Sequence, residues 1–218
     1  MADSAVGFHF EVPTRTVESC VEAELVLALR AGAEEAYEEL IDLYQHPVYN
    51  LVCRLLNDTG EASDVVQEVF LKVFRNIGRF RSNSSLKTWI YRIAVNEAYN
   101  HRRWFSRHQT RTLAGGPGDK EQPRDTFADP GPSPFDVTSD REVRALIESA
   151  LAELNPKFRT VVVLRDVEGL SYEEIAAVLD LSMGTVKSRM VRGRDALRTI
   201  VASRCGPQPV LCFSPQNG

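Results

Sequence analysis

The sequence lacks both long apolar runs and a secretion signal. No stretch reaches the roughly 20 apolar residues that a membrane-spanning helix needs. The N-terminus does not follow the basic-then-apolar order of a signal peptide, because Glu11, Glu18 and Glu22 interrupt it. These two absences predict a cytoplasmic protein that does not insert into a membrane.

The sequence also lacks the residue clusters that are typical of metal centres and catalytic sites. Four cysteines and four histidines are scattered along the chain: Cys20, Cys53, Cys205, Cys212, His9, His46, His101 and His108. They include no C-x-x-C pair and no set at metal-ligand spacing. Paired carboxylates and a nucleophile beside a base are also missing. We therefore expect no catalytic residue, no metal, no cofactor and no small-molecule substrate.

The cysteines fall into two kinds. Cys53 lies within an apolar helical pattern, which predicts a buried thiol. Cys205 and Cys212 lie in a Pro-containing tail, where a redox pair is an alternative to having no role.

Charge is distributed unevenly along the chain. The formal net charge is −4, from 26 basic and 30 acidic residues, a total that does not by itself favour binding to nucleic acid. Residues 1–45 hold only two basic residues, Arg15 and Arg30, whereas residues 75–111 hold nine and a single acid, Glu97. This asymmetry predicts that nucleic acid binds locally, on basic blocks of an otherwise acidic surface.

Helical periodicity dominates the chain, and no strand pattern competes with it. It predicts an all-α fold of two small helical domains joined by a flexible Pro/Gly-rich linker, with a helix-turn-helix in the C-terminal domain. The predicted segments are a mobile tail 1–19, a first domain 20–111, a linker 112–138, a second domain 139–203 and a C-terminal tail 204–218. In the first domain, Glu22–Arg30 is a predicted helix, and Glu34–Leu56 forms one helix or two, with Pro47 as the break.

The most informative stretch predicts helix, tight turn and helix. Ser171 and Glu174 have the spacing of a capping box, which starts a helix at Tyr172. Asp180 ends that helix because Asp tolerates a turn conformation, and Ser182 caps the next helix through its hydroxyl. This order is typical of a helix-turn-helix whose second helix enters the DNA major groove.

The second helix of this motif has an apolar side and a basic side. Val186, Met190 and Leu197 share the inward side, whereas Lys187 and Arg189 belong to the basic remainder. The alternative interpretation is an amphipathic surface helix whose basic face is solvated. The tight spacing of the two helices and their two caps favour DNA binding.

A second block, residues 79–96, mixes basic, aromatic and small polar side chains. Such interleaving suits single-stranded nucleic acid, because unstacked bases need flat partners and phosphates need cations. Trp89 is either a stacking residue or part of the core, and Ile93 is expected in the core. Asn96 and Tyr99 continue a polar, basic helix that can lie against duplex DNA, and His101 and His108 belong to that basic face.

These motifs together resemble one family. The segment Asp64-Val65-Val66-Gln67-Glu68-Val69-Phe70, followed by Phe80 and by residues 86–96, resembles the second conserved domain of bacterial sigma factors. Residues 171–197 resemble their fourth domain. With only a short linker between, the chain resembles the extracytoplasmic-function (ECF) group of the sigma-70 family. Asp180 departs from the family pattern, which often has Gly at that turn.

The resemblance implies a role for three sets of residues. Binding of the clamp helices of the polymerase largest subunit is implied for Asp64, Gln67, Glu68 and Lys72. Contacts to the −10 element, with promoter melting and capture of a flipped base, are implied for Arg79, Arg81, Asn83, Lys87, Trp89, Arg92, Asn96, Asn100 and Arg103. Contacts to the −35 element are implied for Ser182, Thr185, Lys187, Ser188, Arg189 and Arg192.

The implied partners are bacterial RNA polymerase core enzyme, promoter DNA and an anti-sigma factor. Two DNA sites that are two helical turns apart are separated by roughly 70 Å. The 26 residues 113–138 span about 90 Å when extended but about 30 Å as a relaxed coil. The linker therefore bridges the sites only when polymerase holds it stretched, which predicts weak promoter binding by the free protein.

Two other functions remain as alternatives. A helix-turn-helix repressor or activator that is not a polymerase subunit would use residues 171–197 but would leave residues 64–96 without purpose. An enzyme that acts on nucleic acid is the second alternative, and the missing catalytic set counts against it.

Overall fold

The computed structural model describes residues 14–56, 60–112 and 134–205. Within these ranges every regular element is helical, which confirms the predicted all-α fold. The helices are α1 (Thr14–Ala31), α2 (Glu34–Leu56), α3 (Ala62–Asn76), α4 (Leu86–Thr112), α5 (Pro134–Glu153), α6 (Pro156–Val162), α7 (Tyr172–Leu179) and α8 (Met183–Cys205). A 3₁₀ turn (Ile77–Arg79) follows α3, and a π-helical turn (Val163–Val167) continues α6.

Two helices begin earlier than the sequence predicts. Helix α1 starts at Thr14, so the end of the predicted tail 1–19 is helical. No Pro or Gly interrupts Thr14–Ala31. Because the C-terminal part of this helix packs against the domain, the helix can extend back toward the N-terminus as far as Thr14, which follows Pro13. Helix α5 starts at Pro134, inside the predicted linker 112–138. Residues 1–13, 57–59, 113–133 and 206–218 lie outside the described part of the chain.

The first domain is built around α4, which packs against both α2 and α3. The apolar stripe of α3 includes Val69 and Val73, both fully buried. They meet Leu86 and Ile90 of α4, which are also fully buried, within one hydrophobic core. Because apolar residues on α3 follow helical spacing, its opposite face carries the polar residues to the surface.

The predicted break at Pro47 is wrong, because α2 continues through this residue without interruption. A proline inside a helix removes one backbone hydrogen bond and costs about 3 kcal/mol. Val48, Leu51 and Val52 follow directly and are each 0% exposed. Burial of one such side chain contributes about 1.5–3 kcal/mol, so packing outweighs the local cost.

The second domain follows the predicted caps closely. The side chain of Asn155 accepts a hydrogen bond from Lys157 N, with Pro156 in the first turn of α6. Ser171 and Glu174 form the complete capping box of α7. Asp180 ends α7 in the left-handed conformation, with φ 52° and ψ 53°, which is the turn that allows α8 to follow at once.

Helix α8 crosses α6 at Gly193, where the two backbones approach closely. A Cβ added at Gly193 would lie 2.8 Å from Cγ2 of Val162 and 3.3 Å from the carbonyl oxygen of Phe158. The β-branched side chain of Val162 has few alternative rotamers, and the nearest atom of Phe158 is its main-chain oxygen. Neither atom can therefore move away easily. The absence of a side chain at Gly193 therefore allows α8 and α6 to approach this closely.

The two domains pack against each other. Helix α4 contacts α7, and α2 contacts α5 and α6, so that buried residues of both domains form one continuous cluster. We refer to this packing as the closed arrangement. Among the described residues, no helix is both long and apolar enough to cross a membrane.

The glycine contact predicts opposite effects for two substitutions in α8. We expect Gly193→Ala to lower the free energy of unfolding by about 1–3 kcal/mol, because the added methyl group overpacks the α6–α8 crossing. Gly184→Ala is the matched control, since an added Cβ at Gly184 meets nothing within 4 Å. It should leave stability unchanged or raise it by up to about 1 kcal/mol through helix propensity. Chemical denaturation of the full chain measures both, and equal effects would contradict the close-approach interpretation.

Candidate nucleic-acid and protein interfaces

The polar face of α3 carries the four residues expected to bind polymerase. Asp64, Gln67 and Glu68 are exposed on this face. Lys72 is tied to α4 through an ion pair of 2.5 Å with Glu97. The structure thus brings three of the four together as an open polar face, while the fourth is held against the neighbouring helix.

An apolar hollow of about 530 Å³ lies beside this face, between α2 and α3. Its lining includes Tyr49, Val66, Phe70 and Phe74, with Gln67 at its edge. The polar face and the hollow together offer a partner both charge and apolar contact area.

Four of the residues expected at the −10 element form a stripe along α4. Arg92, Asn96, Asn100 and Arg103 are all exposed and recur at helical spacing on one side of the helix. His101 departs from the prediction that it belongs to this basic face. It is half-buried and contacts Glu61 at 3.5 Å. The side chain of His108 lies outside the described residues.

The end of the 3₁₀ turn and the loop that joins it to α4 present three more of the expected residues. Arg79, Arg81 and Asn83 are exposed, and the buried Phe80 anchors the loop, with its N–H donating to Ile77 O at 3.1 Å. Ser82 takes the left-handed conformation, with φ 53°, which a residue with a side chain seldom adopts. The surrounding contacts therefore hold the loop in a defined shape.

Sequence reasoning missed two contacts that α1 makes with this loop. The guanidinium of Arg30 donates from Nη2 to the carbonyl oxygen of Phe80. The carboxylate of Glu22 accepts from Leu86 N at 2.7 Å. No local sequence signal points to either contact, because the partners are 50 and 64 residues apart along the chain.

Trp89 belongs both to the core and to the surface. Its ring packs against Phe80, with centroids 5.3 Å apart and planes at 47°, and the side chain is half-buried. Ile93 is also half-buried and packs against the core, as expected. Trp89 lies on the same side of α4 as Arg92 and Asn96, so its outer edge borders the basic stripe.

Lys87 does not join that stripe. Its Nζ donates to Glu168 O at 3.0 Å, and it lies 5.3 Å from the ring centroid of Tyr91. The adjacent Thr88 donates from Oγ1 to Glu174 at 3.3 Å. The N-terminal part of α4 is thus turned toward the second domain in the closed arrangement.

The cluster around Glu168 joins the domains by polar contacts. Tyr91 donates its hydroxyl to Glu168 at 2.7 Å, and Arg54 lies 3.6 Å from the same carboxylate. Burial, together with this hydrogen bond and the carboxylate charge, raises the pKa of Tyr91, so the hydroxyl remains a donor. We call Glu168, Tyr91, Arg54 and Lys87 the Glu168 cluster. No local sequence pattern points to this cluster, because Arg54, the Lys87–Tyr91 pair and Glu168 lie far apart along the chain.

Arg159 binds the ends of helices from both domains. Its Nη2 donates to Ala152 O at 2.7 Å and to Leu154 O at 3.1 Å, at the end of α5. Its Nη1 donates to Arg54 O and Leu55 O at 3.4 Å each, at the end of α2. Burial lowers the pKa of this guanidinium. Helix-terminal carbonyls carry partial negative charge, so they are suitable partners for a buried cation.

The residues expected at the −35 element lie at the start of α8. Ser182 caps the helix by accepting from Thr185 N at 3.3 Å, and its hydroxyl contacts that of Thr185 at 2.9 Å. Lys187, Ser188 and Arg192 are exposed. Arg189 is half-exposed on the same stretch. The inward residues Val186 and Met190 are buried, as predicted, so the basic side of the helix faces away from the domain.

Models of two protein families match the chain. The first, described as Sigma-70 region 2, covers residues 40–107. The second, described as Sigma-70, region 4, covers residues 144–197. Together they cover more than half of the chain, and each falls within one of the two helical domains.

Curated relatives are similar over most of their length. The RNA polymerase sigma-H factor of Pseudomonas aeruginosa is 36% identical over 174 residues, which is 80% of this chain and 90% of that protein. The ECF RNA polymerase sigma-E factor of Escherichia coli K12 is 35% identical over 185 residues, which is 83% of this chain and 94% of that protein.

Solved structures are similar in fold. One is the sigma factor RpoE of Bartonella quintana, solved with the anti-sigma factor NepR. Its TM-score is 0.62 at 24% identity, over 76% of this chain and 96% of that one. Another is CnrH, solved with the cytosolic domain of CnrY. Its TM-score is 0.58 at 22% identity, over 83% of this chain and 96% of that one.

The Glu168 cluster predicts that one charge reversal opens the closed arrangement. We expect Glu168→Lys to increase the radius of gyration of the free protein in small-angle X-ray scattering. The substitution removes the acceptor of Tyr91 and places a cation beside Arg54 and Lys87. Glu173→Lys makes the same charge change on the exposed side of α7 and should leave the radius unchanged. Equal radii for wild type and Glu168→Lys would show that the cluster does not hold the domains together.

Proposed function

The chain belongs to the ECF group of the sigma-70 family, and we propose that it binds core RNA polymerase and directs it to promoters with the residues described above. Sigma factors initiate transcription without chemistry of their own, so the function lies in binding surfaces. The observation that carries the proposal is the occurrence, on one chain and in order, of a region 2 domain with an exposed basic stripe and a region 4 domain with a free basic helix face. A polymerase subunit works in the cytoplasm.

We propose that α3 is the polymerase-binding element. Asp64, Gln67 and Glu68 form its exposed polar face, and the apolar hollow beside it adds contact area. This combination suits a helical partner that contributes both basic and apolar side chains. Lys72 supports the face indirectly, since its ion pair with Glu97 fixes α3 against α4.

We propose that the loop after α3 and the stripe on α4 bind the −10 element. An unpaired base and its phosphate are suitable partners for Arg79, Arg81 and Asn83, because these side chains project from a segment of defined shape. The stripe from Arg92 to Arg103 suits the duplex upstream of the melted bases. Trp89 borders both, where its exposed edge can support an unpaired base.

We propose that the first turns of α8 read the −35 element in the major groove. Thr185 and Ser188 are short hydrogen-bonding side chains near the helix start, and Lys187, Arg189 and Arg192 bring charge to phosphates and base edges. Ser182 acts through its cap, which fixes the helix start, and its exposed position leaves it near the groove.

The closed arrangement supports control by an anti-sigma factor. Lys87, a proposed −10 residue, is engaged with Glu168 while the domains are closed. A partner that stabilises this arrangement would therefore withhold part of the DNA-binding surface. The sigma factor RpoE of Bartonella quintana was solved with the anti-sigma factor NepR, and CnrH was solved with the cytosolic domain of CnrY.

The alternative function, a repressor or activator that is not a polymerase subunit, is not favoured. It would use α7 and α8 alone and would leave the region 2 domain without a role. The family models cover both domains, and the curated relatives match across both.

The decisive experiment is run-off transcription from a genomic promoter library with core polymerase. The wild-type chain should direct initiation at a defined promoter class, whereas the free chain should bind the same DNA weakly.

We expect Asp64→Arg to weaken binding to core polymerase at least tenfold, because it reverses one charge of the α3 face. Glu142→Arg, an exposed acid on α5, is the matched control and should bind normally. Normal binding of Asp64→Arg would remove α3 from the interface.

Arg189→Ala tests the reading helix. We expect promoter use by the holoenzyme to fall about 5- to 150-fold, because one base or phosphate contact is worth about 1–3 kcal/mol. If the contact is to a phosphate, the salt dependence of binding also becomes shallower by about one counterion. Arg198→Ala lies further along α8, where Arg198 pairs with Asp195, and should have little effect. Unchanged promoter selection by Arg189→Ala would exclude this residue from the reading surface.

A further inference from the structure

Helix α1 contacts both ends of the loop that carries Arg81 and Asn83. At the start, the guanidinium of Arg30 binds the carbonyl oxygen of Phe80. At the end, the carboxylate of Glu22 binds the N–H of Leu86 at 2.7 Å. Glu22 and Arg30 are about two helical turns apart on α1, which corresponds to about 12 Å along its axis. One rigid helix thus spans the loop.

The two contacts are suited to their partners. Leu86 is the first residue of α4, where backbone N–H groups lack partners within the helix and the helix dipole favours a negative charge. Ser85 satisfies Thr88 N at 3.2 Å, and Glu22 satisfies Leu86 N from a distant part of the chain. The Phe80 carbonyl ends the 3₁₀ turn and receives a charged donor from Arg30.

The loop between these anchor points needs support. Ser82 is in the left-handed conformation, which costs free energy. It persists only where contacts of the surrounding structure offset this cost. Arg81 and Asn83 flank Ser82 and are exposed, so the conformation of Ser82 determines the direction in which both project. A loop that is already ordered loses less conformational entropy when it binds an unpaired base.

We propose that Glu22 and Arg30 are positioning residues for promoter opening, which brace the loop through its main chain and do not contact DNA themselves. This inference rests on the proposed −10 role of the loop. It assigns to α1, which precedes the residues matched by the region 2 model, a share in the melting step. Arg30 also borders a hollow of about 740 Å³ with Gly78, Arg79, Phe80 and Arg81, so a direct phosphate contact is the competing explanation to be tested.

The test uses holoenzyme reconstituted with core polymerase and three readouts. Affinity for core polymerase, the rate of promoter opening from a fluorescent base analogue in the −10 element, and the salt dependence of promoter binding are measured for each variant. We expect Glu22→Ala and Arg30→Ala to slow opening about fivefold or more, with core affinity and salt dependence unchanged. Glu22→Gln retains an acceptor for Leu86 N and should restore most of the rate. Glu24→Ala, an exposed acid on α1, should match wild type.

Each of the following outcomes would contradict the positioning role of Glu22 and Arg30. A shallower salt dependence for Arg30→Ala would show a direct phosphate contact. Equal loss of core binding and opening would show a general folding role, and so would a failure of Glu22→Gln to recover activity. Wild-type opening by both alanine variants would show that the loop needs no support from α1. If wild-type holoenzyme opened no promoter while core binding persisted, the proposed −10 role of the loop would be wrong. That result differs from one in which wild type opens promoters and the Glu22 and Arg30 variants do so equally well, which would contradict only the positioning role of α1.

Discussion

A buried guanidinium connects the two domains. Arg159 is 5% exposed, and a cation at that depth is costly unless acceptors surround it. Its shorter hydrogen bonds go to the end of α5 in its own domain, and its longer ones of 3.4 Å go to the end of α2 in the other. The second domain therefore supplies most of the compensation itself. Water can replace the α2 carbonyls as partners of Arg159 if the domains separate.

Several further contacts between the domains are polar and exchangeable, alongside the apolar cluster that runs through both. Tyr91, Thr88 and Lys87 reach the second domain through single hydrogen bonds, and each contributes a net 0.5–1.5 kcal/mol or so. The exposed ion pair between Arg54 and Glu148 adds about 0–1 kcal/mol. Interfaces between domains of one chain are commonly of this kind. Such polar contacts suit the proposed function, in which the two proposed DNA-binding surfaces reach separate promoter sites.

Sequence reasoning succeeded where the physical cause is local. The capping box of Ser171 and Glu174 and the cap at Ser182 involve residues three positions apart, and the turn at Asp180 depends on one backbone conformation. The apolar and polar sides of α3 and α8 also follow directly from helical spacing. The fold class, the helix-turn-helix and the exposure of most of the proposed DNA-binding residues were therefore predictable.

Prediction from the sequence failed where tertiary packing decides which contacts a residue makes. Pro47 has a local cost, but the burial of Val48 and its neighbours is a property of the folded domain. Lys87 belongs to the basic block by composition, yet its contact with Glu168 joins positions 81 residues apart. The same holds for Glu22 at Leu86, 64 residues apart. No window of the sequence contains both partners of these contacts.

The contacts of α1 with the loop have a consequence for how promoter preference can change. Glu22 and Arg30 bind main-chain atoms of Leu86 and Phe80, so neither contact depends on which side chains the loop carries between them. Positions 81, 83 and 84 can therefore exchange residues without loss of the scaffold that presents them. On the proposed −10 role of the loop, promoter preference can thus evolve, or be selected from a library, one loop residue at a time while this scaffold is preserved.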